Sequence, residues 1–239
     1  MKNKILKLEK RLFKHEYMSN VHYLKNVIDE KYLGVGKSGR KMIKTIVFDL
    51  GNVILKESPN IVLNQIKMDK KQYESIKNNF FKDWKALDLG ESTLKEQLDK
   101  CKFDFEIDSK IEEKLLHYYK YRPFNTEVLE LINDLKGKGY KIYILSNNNK
   151  EAEEYLLKLP DFEVFDGWIF SCDYQIMKPD SKIYNILFET YNLKPEECFF
   201  VDDSKRNIET GEELGMTGFV LDHENNGINE LRIELEKVL

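Results

Sequence analysis

From residue 42 onward the chain alternates between short apolar runs and longer stretches in which apolar positions recur every three or four residues. Ile43 to Phe48 (IKTIVF) reads as a short buried strand that stops abruptly at Asp49 and Gly51. Lys141 to Leu145 (KIYIL), Trp168 to Phe170, Cys198 to Val201 and Gly218 to Leu221 read as further strands. Helical patterns fall between them. Val128, Leu131, Ile132 and Leu135 share one face of a helix that Asn125 caps and Gly137 and Gly139 stop. Two more helices are expected at about 181–192 and 206–214, the second closed by Gly215. Strands and helices in alternation predict an α/β fold, a Rossmann-like, doubly wound parallel sheet with helices on both faces and any site at the carboxyl ends of the strands.

Two regions interrupt that rhythm. From Pro59 to Tyr121 only helical periods are visible, with Ile76, Phe80 and Trp84 on one segment and Ile111, Leu115 and Tyr119 on another. Residues 59–121 are therefore expected to form a small helical cap inserted into a core made of 42–58 and 122–239. Residues 1–41 form an N-terminal helical extension, with Ile5, Leu8 and Leu12 at helical spacing and a second helix from Val21 to Ile28. That extension offers a dimer contact.

Composition narrows the class. With 239 residues and 41% hydrophobic content the chain can bury a sizeable core. Its three cysteines, Cys101, Cys172 and Cys198, have no CxxC spacing and read as reduced. The opening MKNKILKLEKRLFK never reaches an uninterrupted apolar run, so a cytoplasmic protein without membrane attachment is expected. Residues 1–41 carry eleven Lys/Arg against four Asp/Glu. No nucleic-acid-binding motif accompanies that charge, so it reads as a solvated helix face and no nucleic-acid partner is expected. The Gly36-Lys37-Ser38 triplet is not a P-loop, because Lys31 stands where the earlier glycine is needed. His15, His22, His117 and His223 lack the paired spacing of a zinc site.

Polar residues cluster where strands end: Asp49 after IVF, Ser146-Asn147 after YIL, and Asp202-Asp203 after FFV, with Lys178 between the last two. A doubly wound sheet brings such ends to one edge. Carboxylates, a hydroxyl and a cation are what phosphoryl transfer to a carboxylate requires: a nucleophile, ligands for a metal ion and donors for phosphate oxygens. Each piece alone is better read as a cap, a turn or a solvated surface group. The set in this order is specific.

In the order and spacing of these motifs, over about Ile43 to Leu221, the chain resembles the haloacid dehalogenase superfamily. The resemblance makes Asp49, in FDLGNV, the nucleophile, with Asn52 nearby as a substrate contact. It makes Ser146, in ILSNNN, the hydroxyl that bonds the phosphate, with Asn147 beside it as a substrate contact. Lys178, in MKPDSKIY, stabilises the nucleophile and the transferring group. Asp202 and Asp203, in VDDSKRNIE, hold Mg²⁺ together with Asp49 and the backbone carbonyl of Gly51, Asp203 directly and Asp202 through a water. Asn207 stands where some relatives carry a second acidic residue. The implied activity is a Mg²⁺-dependent phosphatase acting on a small phosphorylated metabolite.

One position departs from the pattern. Most phosphatases of this family carry a second aspartate two residues after the nucleophile, which protonates the leaving oxygen, and here that residue is Gly51. Loss of a general acid costs about 10² to 10⁴ in rate. The gap implies a substrate with a stable leaving group, a donor from the cap or solvent, or no catalysis. FDLGNV with a small helical cap also resembles a bacterial branch of sugar-phosphate phosphatases that act on glucose 1-phosphate, whose anomeric phosphate leaves easily. Trp84, Lys85, Asp88 and Glu91 then fall in the substrate loop. Two alternatives stand beside the phosphatase. A metal-independent dehalogenase would need an arginine behind the nucleophile, where this chain has Val53-Ile54-Leu55-Lys56, and would not need Asp202-Asp203. A phospho-ligand-binding protein without turnover would tolerate Gly51.

Overall fold

The computed structural model describes residues 42–101, 107–222 and 227–239. The helical extension expected at 1–41, its dimer contact, and His15, His22 and His223 lie outside these residues. Five parallel strands form the sheet: β1 (Thr45–Phe48), β2 (Lys141–Ser146), β3 (Gly167–Phe170), β4 (Cys198–Asp202) and β5 (Thr217–Val220), in the order β3-β2-β1-β4-β5. All five expected strands are present, displaced by a residue or two at their ends. The fold class is the expected parallel α/β architecture.

Alternation of side chains across the pleat explains the apolar runs. Ile46, Phe48, Ile142, Ile144, Phe199 and Val201 point to one face, where they pack under helices α6 (Thr126–Gly137) and α11 (Gly227–Val238). Val47, Tyr143, Leu145 and Phe200 point to the other, under α9 (Ser181–Tyr191) and α10 (Lys205–Glu213). A strand covered on both sides has no polar face to show, so periodicity of two is lost from its sequence.

Between β1 and α6 the described residues form five short helices, α1 (Pro59–Leu63), α2 (Lys70–Asn79), α3 (Trp84–Asp88), α4 (Leu94–Cys101) and α5 (Ser109–Leu116), then a 3-10 turn at Tyr118–Tyr121. They bury their own core, including Leu63, Ile76, Phe80, Leu87, Leu98 and Leu115. A capping box between Asp69 and Gln72 starts α2. Two short helices, α7 (Lys150–Leu156) and α8 (Ser171–Tyr174), and two 3-10 turns at Pro160–Val164 and Pro195–Glu197 complete the connections.

Three local expectations change. Trp84 does not continue the helix of Ile76 and Phe80; α2 ends at Asn79 and a new helix starts at Trp84. The break lets Phe81 and Trp84 stack at 5.2 Å and Trp84 meet Tyr118 edge-on at 5.0 Å, so aromatic packing overrides the helical period. Asn125 sits at the N-cap of α6 but its side chain makes no capping bond. What fixes that end is the backbone, where the Asn125 N–H donates to the Ile54 carbonyl at 2.8 Å. Gly137 belongs to the last turn of α6, and Gly139, with φ +91°, makes the stop.

Candidate active site

The register of the three central strands sets the site. Phe48 pairs with Ile144 on one side and Val201 on the other, so Asp49 leaves β1 level with the ends of β2 and β4. Its N–H still donates to Val201 O at 2.9 Å, which holds the residue in line with the sheet although the strand has ended. Lys178 arrives from the loop after α8 and is 2% exposed. Its ammonium reaches Asp49 Oδ1 at 2.7 Å and Asp202 Oδ2 at 2.6 Å. Burial opposes the charge on Lys178, but Asp202 and Asp49 outweigh burial and hold its pKa above the ordinary range.

Asp202, wholly buried, is saturated with donors. The Ser204 N–H donates to Oδ1 at 2.8 Å, and the Asn207 amide donates to both oxygens at 3.0 and 3.1 Å. Asp203 is exposed and accepts the Asn52 amide at 3.1 Å. Asn52 takes φ +51°, a left-handed conformation that asparagine tolerates, and this turn carries its side chain toward Asp203. Asp49, Asp202 and Asp203 each bring a carboxylate oxygen to within 4.8 Å of the others.

Burial pushes the Asp49 carboxyl up to about 7 against the pull of Lys178, and the neighbouring charges of Asp202 and Asp203 push in the same direction as burial. Burial also raises Asp203, partly offset by the Asn52 amide. Three carboxylates against one ammonium leave an excess of negative charge that a divalent cation would offset. Hard oxygen donors at this spacing suit magnesium, so the residues present fit the metal implied by the sequence.

Of the two residues expected beside the phosphate after β2, Asn147 lines the cavity and Ser146 does not. The Asn147 amide is engaged with the backbone of Lys178, donating to its carbonyl at 3.0 Å and accepting its N–H at 2.8 Å. It therefore clamps the loop that delivers the lysine. Ser146 ends β2 almost completely buried, its hydroxyl 3.4 Å from the Asn147 carbonyl, and it does not line the cavity.

That cavity, of about 330 Å³, is walled on one side by Asp49, Gly51, Asn52, Lys178 and Asp203. The facing wall holds Phe81, Trp84, Asp88, Tyr118 and Arg122. Of the four residues expected in the substrate loop, Trp84 and Asp88 line it, and Lys85 and Glu91 do not. Sequence reasoning missed Glu57, Tyr118 and Arg122. Arg122 is 7% exposed, pairs with Glu57 Oε1 at 2.9 Å and lies over the Tyr118 ring at 5.4 Å. Burial and the negative charges of Glu57 and Asp49 raise the Asp88 carboxyl to about 7. Arg122 Nε and Nη2 and Asp88 Oδ1 are buried with no hydrogen-bond partner among the described residues. Nothing in the KYRPFN stretch, which also holds Lys120, distinguishes Arg122 from a surface arginine along the sequence.

Among the described residues all three cysteines are free, and no helix is long and apolar enough to cross a membrane.

The family model for haloacid dehalogenase-like hydrolases matches residues 43–215. A bifunctional epoxide hydrolase of Mus musculus is 33% identical over 122 residues, covering 49% of this chain and 21% of that protein. The chain thus spans about a fifth of the length of that relative. A D-ribitol-5-phosphate phosphatase of Bacteroides thetaiotaomicron is 26% identical over 193 residues, covering 74% of this chain and 91% of the relative. Among solved structures, a haloacid dehalogenase family enzyme of the same organism, in complex with magnesium and inorganic phosphate, superposes with TM-score 0.64 at 23% identity. That match covers 77% of this chain and 96% of the other and speaks to the fold.

Proposed function

This chain belongs to the haloacid dehalogenase-like hydrolases, and from that premise we propose that it is a Mg²⁺-dependent phosphatase of small phosphomonoesters, working through an aspartyl-phosphate on Asp49. The observation that carries the reading is the group of three carboxylates around Lys178 at the strand ends. A dehalogenase attacking carbon has no use for such a cluster. Magnesium held by Asp49 and Asp203, with Asp202 acting through a water, would neutralise charge on phosphoryl oxygens.

The chain's own residues do the rest. Lys178 takes Asp49 Oδ1, which leaves Oδ2 for attack on phosphorus and fixes the carboxylate plane before substrate arrives. The Asn147 clamp and the buried Asp202 hold the lysine in place. The wall formed by Phe81, Trp84 and Tyr118 excludes water and offers aromatic faces to the non-phosphate part of the substrate. The ribitol-phosphate phosphatase among the relatives supports a phosphorylated sugar or polyol as that part.

Phosphate release from a panel of sugar, polyol, nucleotide and amino-acid phosphates, with Mg²⁺ and then with excess chelator, tests the reading. Turnover of at least one phosphomonoester that chelation abolishes is expected. Folded protein that releases phosphate from none of them, or releases it equally in chelator, would overturn it.

A further inference from the structure

The proposed reaction has one role for which position 51 supplies no side chain. A Cβ built on Gly51 would lie 2.3 Å from Glu57 Oε2, closer than two atoms can approach, and 3.9 Å from Asp49 Oδ2. The space that an aspartate at 51 would enter is therefore already filled by a carboxylate delivered from six residues further along the chain. The loop after β1 turns back to make this possible. Gly51 bridges to Leu55, and the Glu57 N–H donates to Asn52 Oδ1 at 3.1 Å.

Glu57 is also held. Arg122 Nη1 fixes its Oε1 at 2.9 Å, and the arginine side chain, 3% exposed, cannot easily leave. Oε2 occupies the place of a side chain at 51, whose Cβ would stand 3.9 Å from Asp49 Oδ2, in the wall of the cavity and on a side chain 31% exposed. One oxygen is thus immobilised and the other lies in the cavity wall at the side-chain position of residue 51, where a proton-transfer group would stand. The same contact explains the glycine: any side chain at 51 would displace Glu57.

On the phosphatase reading, we propose that Glu57 is the proton donor and acceptor of the reaction, taking the role for which residue 51 has no side chain. In the first step Asp49 Oδ2 bonds to phosphorus, the ester P–O bond breaks, and the leaving oxygen takes the proton of the Glu57 carboxyl. In the second, water attacks the phosphorus and gives a proton to the Glu57 carboxylate. The P–O bond to Asp49 breaks, which restores both side chains and releases inorganic phosphate.

The test compares an aryl phosphate, whose leaving group needs no proton, with the phosphate ester of a primary alcohol, on native protein, Glu57→Gln and Asp88→Asn. Glu57→Gln is expected to lower kcat about 10² to 10⁴-fold on the alkyl ester and less than about 10-fold on the aryl ester. Equal losses on both esters, no loss on either, or a selective alkyl-ester loss in Asp88→Asn instead would overturn the assignment. If Glu57→Gln does not fold, native protein and Asp88→Asn decide together: rates nearly independent of leaving-group pKa in both support Glu57 as the donor, and a steep fall in either refutes it. Failure of the phosphatase reading is distinct, because the native protein would then turn over neither ester.

Discussion

The two walls of the cavity are built differently. On the sheet wall each carboxylate has a partner: Lys178 bridges Asp49 and Asp202, Asn207 and Ser204 complete Asp202, and Asn52 meets Asp203. On the facing wall Arg122 Nε and Nη2 and Asp88 Oδ1 are buried without partners among the described residues. A buried unpaired polar group costs about 1 to 3 kcal/mol, so one wall is stabilised by its own contacts and the other holds unspent bonding capacity. On the proposed phosphatase reaction, this difference would separate constant chemistry from variable recognition. Groups that act on the phosphoryl centre must be fixed before substrate binds, whereas groups that read the rest of the substrate gain specificity by being satisfied only when it is present.

Breaking the sheet wall at its centre has the largest expected effect. Asp49→Asn keeps the shape but cannot form the acyl-phosphate, so turnover should fall by about 10⁴-fold or more in a steady-state assay. Residual turnover within tenfold of native would remove Asp49 from its role. Lys178→Met leaves two buried carboxylates facing one another, and urea unfolding should show a loss of about 3 to 5 kcal/mol. A loss below about 1 kcal/mol would mean that the wall is not held by this lysine.

Magnesium should stabilise the same wall. At 100 times its dissociation constant the gain is about 2.7 kcal/mol, read as a rise in Tm that Asp203→Asn removes. An unchanged Tm in native protein, with calorimetry showing no Mg²⁺ binding, would contradict the cluster as a metal site.

The facing wall is expected to respond in the opposite sense. The Asp88 carboxyl titrates near 7 when folded, raised from an ordinary value near 3.8. Between these values the unfolded chain has released a proton that the folded protein keeps, so Asp88 favours folding below about pH 4 and its contribution declines as pH rises to 7. Asp88→Asn should therefore be more stable than native protein at pH 8, by up to about 4 kcal/mol, with no such advantage at pH 4. Equal differences at both pH values would refute a buried, ionisable Asp88.

The contrast also marks what could be read along the chain. Asp49, Lys178, Asp202 and Asp203 were legible because each follows a strand or sits between two, and parallel topology carries strand ends to one edge. Asn147 was legible as a site residue but not as the clamp on the Lys178 backbone, since that needs the loop to fold back over β2. Glu57 was invisible because its place depends on a turn that brings residue 57 over residue 51. Arg122 was hidden for a similar reason, its partner being 65 residues away.

By itself the sequence determined the parallel sheet, its strands and the ends from which the chemistry projects. These follow from local periodicity and from the rule that buried parallel strands lose their polar face. Only the tertiary structure decided where helix α2 stops, which oxygen of Asp49 is held, and what fills the space beside Gly51. Each of those outcomes depends on side chains from distant segments competing for one volume, and packing of that kind leaves no periodic trace in the chain.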